Sequence, residues 1–422
     1  MMQDRAFHIA GDDDHIQYEG IPVKEPFLVI KQPLSGNGKR QQIIGGFHKS
    51  WIKFRMRILI LKIILKNFTY PLKSILILKQ LLHLRRSILG KHSINKYASV
   101  DGNMYCDLYT PAIGTKAFRK FVETEADRIK SIGHKTNRFI NVFISITKSC
   151  PLSCEHCFDW ESLNRPDTLT KNDLSAIISK VVAMGTSQIQ ITGGEPLTRM
   201  ERVMEVLQMV PADTESWVLT SGYNLTGINA AKLKNAGLTG VVVSLDHFDP
   251  HRHNQFRGSE HAFDWAKTAV ENAIANNLVT ALSLCATNSF ITETNLLAYA
   301  ELAKEMGVSF IQVLEPKAAG HYKGKDVGLT AENQDLLEAF YFKMNYDPIY
   351  REYPIICYME QVNRRRGCLS SGDRNLYLDT DGDIHACPFC RSKLGSMLST
   401  DSTEIIEHLK AEGCHTFGHF TA

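Results

Sequence analysis

Nowhere between residues 49 and 100 does an apolar run approach the roughly 20 residues that a membrane-spanning helix needs, because charges interrupt every such run. The N-terminus, MMQDRAFHIAGDDDH, has no apolar core run and carries acidic residues, so it does not read as a signal peptide. Net charge is scarce too. A balance of only +3 over 422 residues gives no global sign of a nucleic-acid partner. Nothing directs the chain to an oxidising compartment. Its ten cysteines therefore do not read as a disulfide framework. The expected location is the cytoplasm, where clustered cysteines read as metal ligands or catalytic thiols.

What the chain does contain falls into regions. With 44% apolar and 22% charged residues it is an ordinary globular sequence, long enough for two or three domains. Residues 1–48 are mixed and show no clear period. Residues 49–140 read as a basic, apolar and helical region. Its first part, 49–100, holds twelve Lys or Arg and no Asp or Glu. In WIKFRMRILILKIILKNF, Arg55, Lys62 and Lys66 share one helical stripe, and Ile52, Met56, Leu59, Ile63 and Ile64 take the rest. Pro71 can open a second helix, with Thr69 as a cap. A basic apolar helix pair of this kind fits peripheral contact with a membrane surface. It equally fits a hairpin packed on the next domain with its lysines in water.

From Asn141 the texture becomes rhythmic. NVFISIT, QIQITGG, WVLTSG, VVVSLD, TALSLCATNS and FIQVLEP are β-rich runs separated by helical stretches. Strand–helix alternation implies a parallel sheet with helices outside. Six such units over residues 141–329 define an α/β fold, a partial (β/α)6 TIM-like barrel with its site expected at the strand C-termini. After Thr330 the alternation stops. The tail, 330–422, is cysteine-rich, and Asp381-Gly382 within NLYLDTDGDIHACPFC is a tight-turn signal between two short strands.

SCPLSCEHCF places Cys150, Cys154 and Cys157 on one loop just after the first of these strands. Thiolates are the ligands of iron–sulfur clusters, and four normally close a 4Fe–4S site. Three leave one iron open, and an open coordination position invites a small-molecule ligand. The alternative is a zinc site that borrows a fourth ligand such as His156. Further clusters end later strands: Gly193-Gly194-Glu195-Pro196, Thr220-Ser221-Gly222 and Ser244-Leu245-Asp246, with Arg257-Gly258 following. Paired glycines let backbone approach closely without a Cβ. Glu195 can accept from a cationic amine, and Arg257 can pair with a carboxylate.

Taken in order, these clusters resemble the radical S-adenosylmethionine (radical SAM) superfamily. The resemblance implies that Cys150, Cys154 and Cys157 ligate a 4Fe–4S cluster with one iron open to SAM. It implies that Gly193, Gly194, Glu195 and Pro196 hold the methionine amino group, and that Ser221, Ser244, Asp246 and Arg257 complete the SAM site. One departure stands out. His156 occupies a position that is usually Tyr or Phe and packs on the adenine; an imidazole can still stack. The implied reaction is reductive cleavage of SAM to a 5′-deoxyadenosyl radical, which takes a hydrogen atom from substrate. An external one-electron donor such as flavodoxin or ferredoxin is implied as partner.

Cys368-x13-Gly382-x4-Cys387 resembles the start of the SPASM or shortened twitch extension, which holds auxiliary clusters. Cys368, Cys387, Cys390 and Cys414 are then the ligands of a second 4Fe–4S cluster, with Cys357 spare; a structural zinc site is the alternative. The further cysteines of a full SPASM signature are absent, so one auxiliary cluster is expected. Cys106 and Cys285 read as buried free thiols. Glu315 reads as a substrate contact or a salt-bridge partner, and Gly320 faces the substrate side. The substrate, a peptide, a small molecule or a lipid, stays open. The rival reading is a non-catalytic iron–sulfur or zinc protein on the same scaffold.

Overall fold

The computed structural model describes residues 41–67, 71–129, 139–370, 372–390, 392–418 and 420. Most of the segment 1–48, and the expected cap Thr69, lie outside the described residues. The chain opens with β1 (Gln42–Ile44), α1 (Gly46–Asn67) and α2 (Pro71–Leu89), then β2 (Tyr97–Val100), β3 (Asn103–Tyr105) and α3 (Lys116–Ile129). The alternating part runs β4 (Asn141–Ser145), α4 (Lys171–Ala183), β5 (Gln188–Thr192), α5 (Met200–Met209), β6 (Glu215–Thr220), α6 (Gly227–Asn235), β7 (Gly240–Ser244), α7 (Pro250–Arg257), α8 (Ala262–Ala275), β8 (Val279–Cys285), α9 (Glu293–Met306) and β9 (Phe310–Leu314). The tail adds α10 (Ala331–Tyr346), β10 (Ile355–Cys357), α11 (Glu360–Arg366), β11 (Asn375–Leu378), β12 (Ile384–His385) and α12 (Ser402–Glu412).

Strands β4 to β9 lie side by side in chain order, all parallel. This is the partial barrel that the alternation predicts. The tail, however, does not stand apart from it. β10 pairs in parallel with β9, and β11 pairs in parallel with β4, so the described sheet has nine strands with β12 antiparallel at one end. The expected region of helices is also only partly helical. β1, β2 and β3 form a small antiparallel sheet there.

Both faces of the barrel sheet are covered, which is why its strands read as nearly continuous apolar runs. Ile189, Ile191, Val241, Val243, Leu282 and Ile311 pack outward against the helices. Trp217, Val242, Ala281 and Phe310 turn inward, where Ala98, Val100, Tyr105 and Leu108 meet them and close the N-terminal end of the strands. Caps punctuate the helices. Thr170 and Asp173 form a reciprocal capping box at the start of α4, and Asp249 caps α7 ahead of Pro250. Helices α1 and α2 pack through Ile63, Ile64 and Ile77 against Phe118, Val122 and Ala126 of α3. No described helix is long and apolar enough to cross a membrane.

Candidate active site

The loop after β4 carries Cys150, Cys154 and Cys157, and backbone bonds hold it on three sides. Gly194 N–H donates to Thr147 O and Glu195 N–H to Ser149 O, both at 2.8 Å. Ser153 and Glu155 N–H donate to the Arg257 and Phe256 carbonyls at 3.2 and 3.0 Å. His321 N–H donates to Cys157 O at 2.9 Å, and its Nδ1 lies 3.0 Å from Cys154 O. The glycine pair acquires its reason here. Gly193 has φ +150°, and a Cβ there would stand 2.7 Å from Thr147 O; one on Gly194 would stand 2.5 Å from Ser149 O. The space the glycines leave is filled by the cysteine loop itself. Gly320, expected to face substrate, likewise backs this loop: a Cβ on it would meet Cys157 O at 2.2 Å.

Glu195 is buried and takes four donors. Ser221 N–H and Oγ donate to one carboxylate oxygen at 2.7 and 2.6 Å; Thr220 Oγ1 and Leu197 N–H donate to the other at 2.8 and 3.1 Å. Burial nevertheless keeps its pKa above the ordinary carboxylate value. Its carboxylate ties the end of β6 to the Gly193–Pro196 turn, and Pro196 opens a short helical turn behind it.

Asp246 follows β7, and Arg257 ends α7. Arg257 Nε and Nη2 both reach Asp246 Oδ2 at 2.6 Å, and its Nη1 lies 3.7 Å from Cys154 Sγ. Burial alone would raise Asp246, but the guanidinium holds its pKa below the usual range. The other Asp246 oxygen accepts from Cys285 N–H at 2.9 Å, and Asp246 N–H donates to His253 Nδ1 at 3.0 Å. Burial pushes the Cys150 and Cys157 thiols up to about 12. Cys154 is also raised by burial, with Arg257 pulling it back.

His156 is half-buried and stacks on Phe256, ring centroids 4.9 Å apart. Its Nδ1 has no partner among the described residues. Phe158 packs edge-on against Tyr377 and Phe389 of the tail. Ser244 lines the same cavity as the cysteine loop.

The tail thiols form a chain of contacts: Cys387 to Cys390, Cys390 to Cys414, Cys414 to Cys368. Among the described residues no group of three or more His, Cys, Asp or Glu is arranged to hold a single metal ion. Cys357 sits elsewhere, buried on β10 against Asp107 and Cys106. Glu315 accepts from Tyr358 Oη at 2.6 Å and pairs with Arg364 at 2.5 Å, which supports its salt-bridge reading. One cavity of about 1600 Å³ is lined by Cys150, Cys154 and Cys157 and by all four tail thiols.

Some residues that organise the loop escape sequence reasoning. Asn164 brackets Cys150, accepting from its N–H at 2.8 Å and donating to its carbonyl at 3.0 Å. Asp167 accepts from Thr147 Oγ1 and Lys148 N–H. Lone polar residues 14 and 19 positions away carry no local pattern. The Lys148–Asp381 ion pair at 2.6 Å, which ties the loop to the tail turn, is equally silent in sequence.

The cysteine loop follows the first strand of the open parallel barrel, and the strand-end clusters back it. Residues 144–310 match the Radical SAM superfamily. GTP 3′,8-cyclase of Pasteurella multocida is 30% identical over 159 residues, 33% of this chain and 47% of that protein. GTP 3′,8-cyclase of Haemophilus influenzae is 28% identical over 175 residues, 36% of this chain and 51% of that protein. The chain thus spans about half the length of the curated relatives it matches. Among solved structures, anSMEcpe with bound AdoMet superposes with TM-score 0.50 at 19% identity, over 64% of this chain and 80% of that one. That likeness concerns the fold.

Proposed function

We propose that this chain is a radical SAM enzyme that takes a hydrogen atom from an organic substrate. One observation carries the reading: the three thiols, the glycine turn, and the Glu195, Ser221, Ser244, Asp246 and Arg257 side chains all line one cavity. Cys150, Cys154 and Cys157 would hold a 4Fe–4S cluster. The donor set fits it, since three thiols on one loop, Cys154 buried and Cys150 and Cys157 half-buried, leave one iron for a small-molecule ligand. When bound, cluster and SAM supply reductive cleavage to a 5′-deoxyadenosyl radical.

The chain's own residues do the positioning. The Gly193–Glu195 backbone fixes the cysteine loop, and Glu195 fixes Ser221 and Thr220 in turn. Arg257, held by Asp246, places a positive charge beside Cys154, which favours its thiolate. The open Nδ1 of His156 offers a hydrogen-bond position in the expected adenine region. Cys368, Cys387, Cys390 and Cys414 would hold an auxiliary cluster, and an external one-electron donor would serve the first. The test is spectroscopic. SAM should perturb the spectrum of the reconstituted cluster in the wild type, and the perturbation should vanish when Cys150, Cys154 and Cys157 are replaced by Ala. A spectrum indifferent to SAM would favour the non-catalytic reading.

A further inference from the structure

The cavity that holds the cysteine loop does not stop at the barrel mouth. Its volume of about 1600 Å³ exceeds the roughly 300–1000 Å³ of an ordinary ligand pocket. The far wall is built by the inner faces of α1 and α2, through Ile60, Leu61, Leu78, Leu81, Ile88 and Leu89. Beside these apolar side chains stand Lys53, Arg57 and Arg85. Among the described residues none of the three makes an ion pair. Burial depresses the Lys53 ammonium, and so do the like charges of Arg57, Arg85 and Lys49. Glu125, an acid on the same wall, is held by Arg128 and Arg374. A cation cluster without its counter-charge, next to an apolar wall, is complementary to an anionic head on an apolar chain.

The outer face of the same hairpin is also apolar. Trp51 and Phe54 on α1 are 60% and 55% exposed, and Leu72, Ile75 and Leu76 on α2 are 82%, 50% and 45% exposed. Scattered single apolar residues need no explanation, but this exposed set includes a stacked pair, Trp51 on Phe54. Here it lies on a 52-residue stretch with twelve basic and no acidic side chains, the composition that anionic bilayers attract.

We propose that the α1–α2 hairpin seats on an anionic membrane and that the cavity behind it takes up a lipid, with an anionic headgroup against Lys53, Arg57 and Arg85 and an apolar chain along the inner faces of the two helices. This names the substrate class of the radical site and rests on that reading, since the lipid cavity and the cysteine loop are one space.

The test is lipid transfer. The full-length chain is incubated with phosphatidylcholine vesicles doped with pyrene-labelled phosphatidylglycerol, the vesicles are removed, and label in the protein fraction is measured. The wild type should carry a stoichiometric amount. Arg57→Glu with Arg85→Glu should lower transfer about tenfold or more, while Arg57→Lys with Arg85→Lys should retain it. Labelled phosphatidylcholine should transfer far less than labelled phosphatidylglycerol. No transfer, vesicle binding without transfer, or equal transfer by the charge-reversed chain or of the neutral lipid would each overturn the proposal. A chain that takes up lipid yet never cleaves SAM keeps the lipid site and loses the radical reading; one that cleaves SAM but takes up no lipid does the reverse.

Discussion

Arg257 and Asp246 face one another across the site at 2.6 Å, both buried, with the guanidinium 3.7 Å from the Cys154 sulfur. The arginine thus spends two of its nitrogens on a protein carboxylate and turns a third to the cysteine loop. Removing one partner of a buried pair strands the other charge, at a cost of about 3–5 kcal/mol. Arg257→Ala should therefore destabilise the fold as well as weaken SAM binding. Adding Asp246→Ala should restore part of the stability while binding stays weak. Denaturant unfolding of the single and double variants checks this, and additive losses would contradict the coupling.

The glycine turn is tested by one methyl group. A Cβ on Gly194 would meet the Ser149 carbonyl at 2.5 Å, and the neighbour is backbone that cannot swing away. Gly194→Ala should displace the cysteine loop at a cost of about 1–3 kcal/mol and lower the iron held there. Iron content after reconstitution is the readout; full iron with wild-type stability would mean that the loop adapts.

The tail thiols make a separate expectation. With two 4Fe–4S clusters the chain should bind about eight irons, falling to about four when Cys150, Cys154 and Cys157 are all Ala. Cys414→Ala should lose the tail cluster, since Cys414 touches Cys390 and Cys368. Cys357→Ala should not, because Cys357 lies against Asp107 and Cys106. Zinc without iron in the tail would make it a structural site.

His253 supplies a pH dependence. Burial, first among the causes, depresses its pKa from the ordinary 6.5 to about 4. The unfolded imidazole binds a proton below 6.5, whereas the native one does so only near 4. Between those values the unfolded state holds more protons, so stability should fall as pH drops from about 6.5 to about 4, by up to about 3 kcal/mol from this group. His253→Gln should flatten that fall in urea unfolding at pH 7 and pH 5. An unchanged slope would place the effect elsewhere.

Much of this architecture is legible in sequence. The six barrel strands read from β-rich runs, and Asp381-Gly382 marks the β11–β12 turn, where Gly382 has φ +80°. β10 was hidden, because three residues, Ile355–Cys357, carry no period and their pairing with β9 is long-range. β11 was visible as a strand but not as a neighbour of β4, for the same reason. At the site, residue types were legible and partners were not. Glu195 reads as a ligand for an amine until Ser221, Thr220 and Leu197 are seen to fill its carboxylate. The glycine pair reads as room for a ligand until the loop at Thr147 and Ser149 is seen in that room.

The most direct measurement is anaerobic turnover. Reconstituted wild type, SAM and a strong one-electron reductant are combined, and 5′-deoxyadenosine and methionine are quantified. The expected result is formation of both in equal amounts, abolished in Cys154→Ala while that variant keeps its fold. Absence of 5′-deoxyadenosine from a chain that carries its cluster, or its formation at the wild-type rate by Cys154→Ala, would contradict the assignment of this loop as the radical SAM centre.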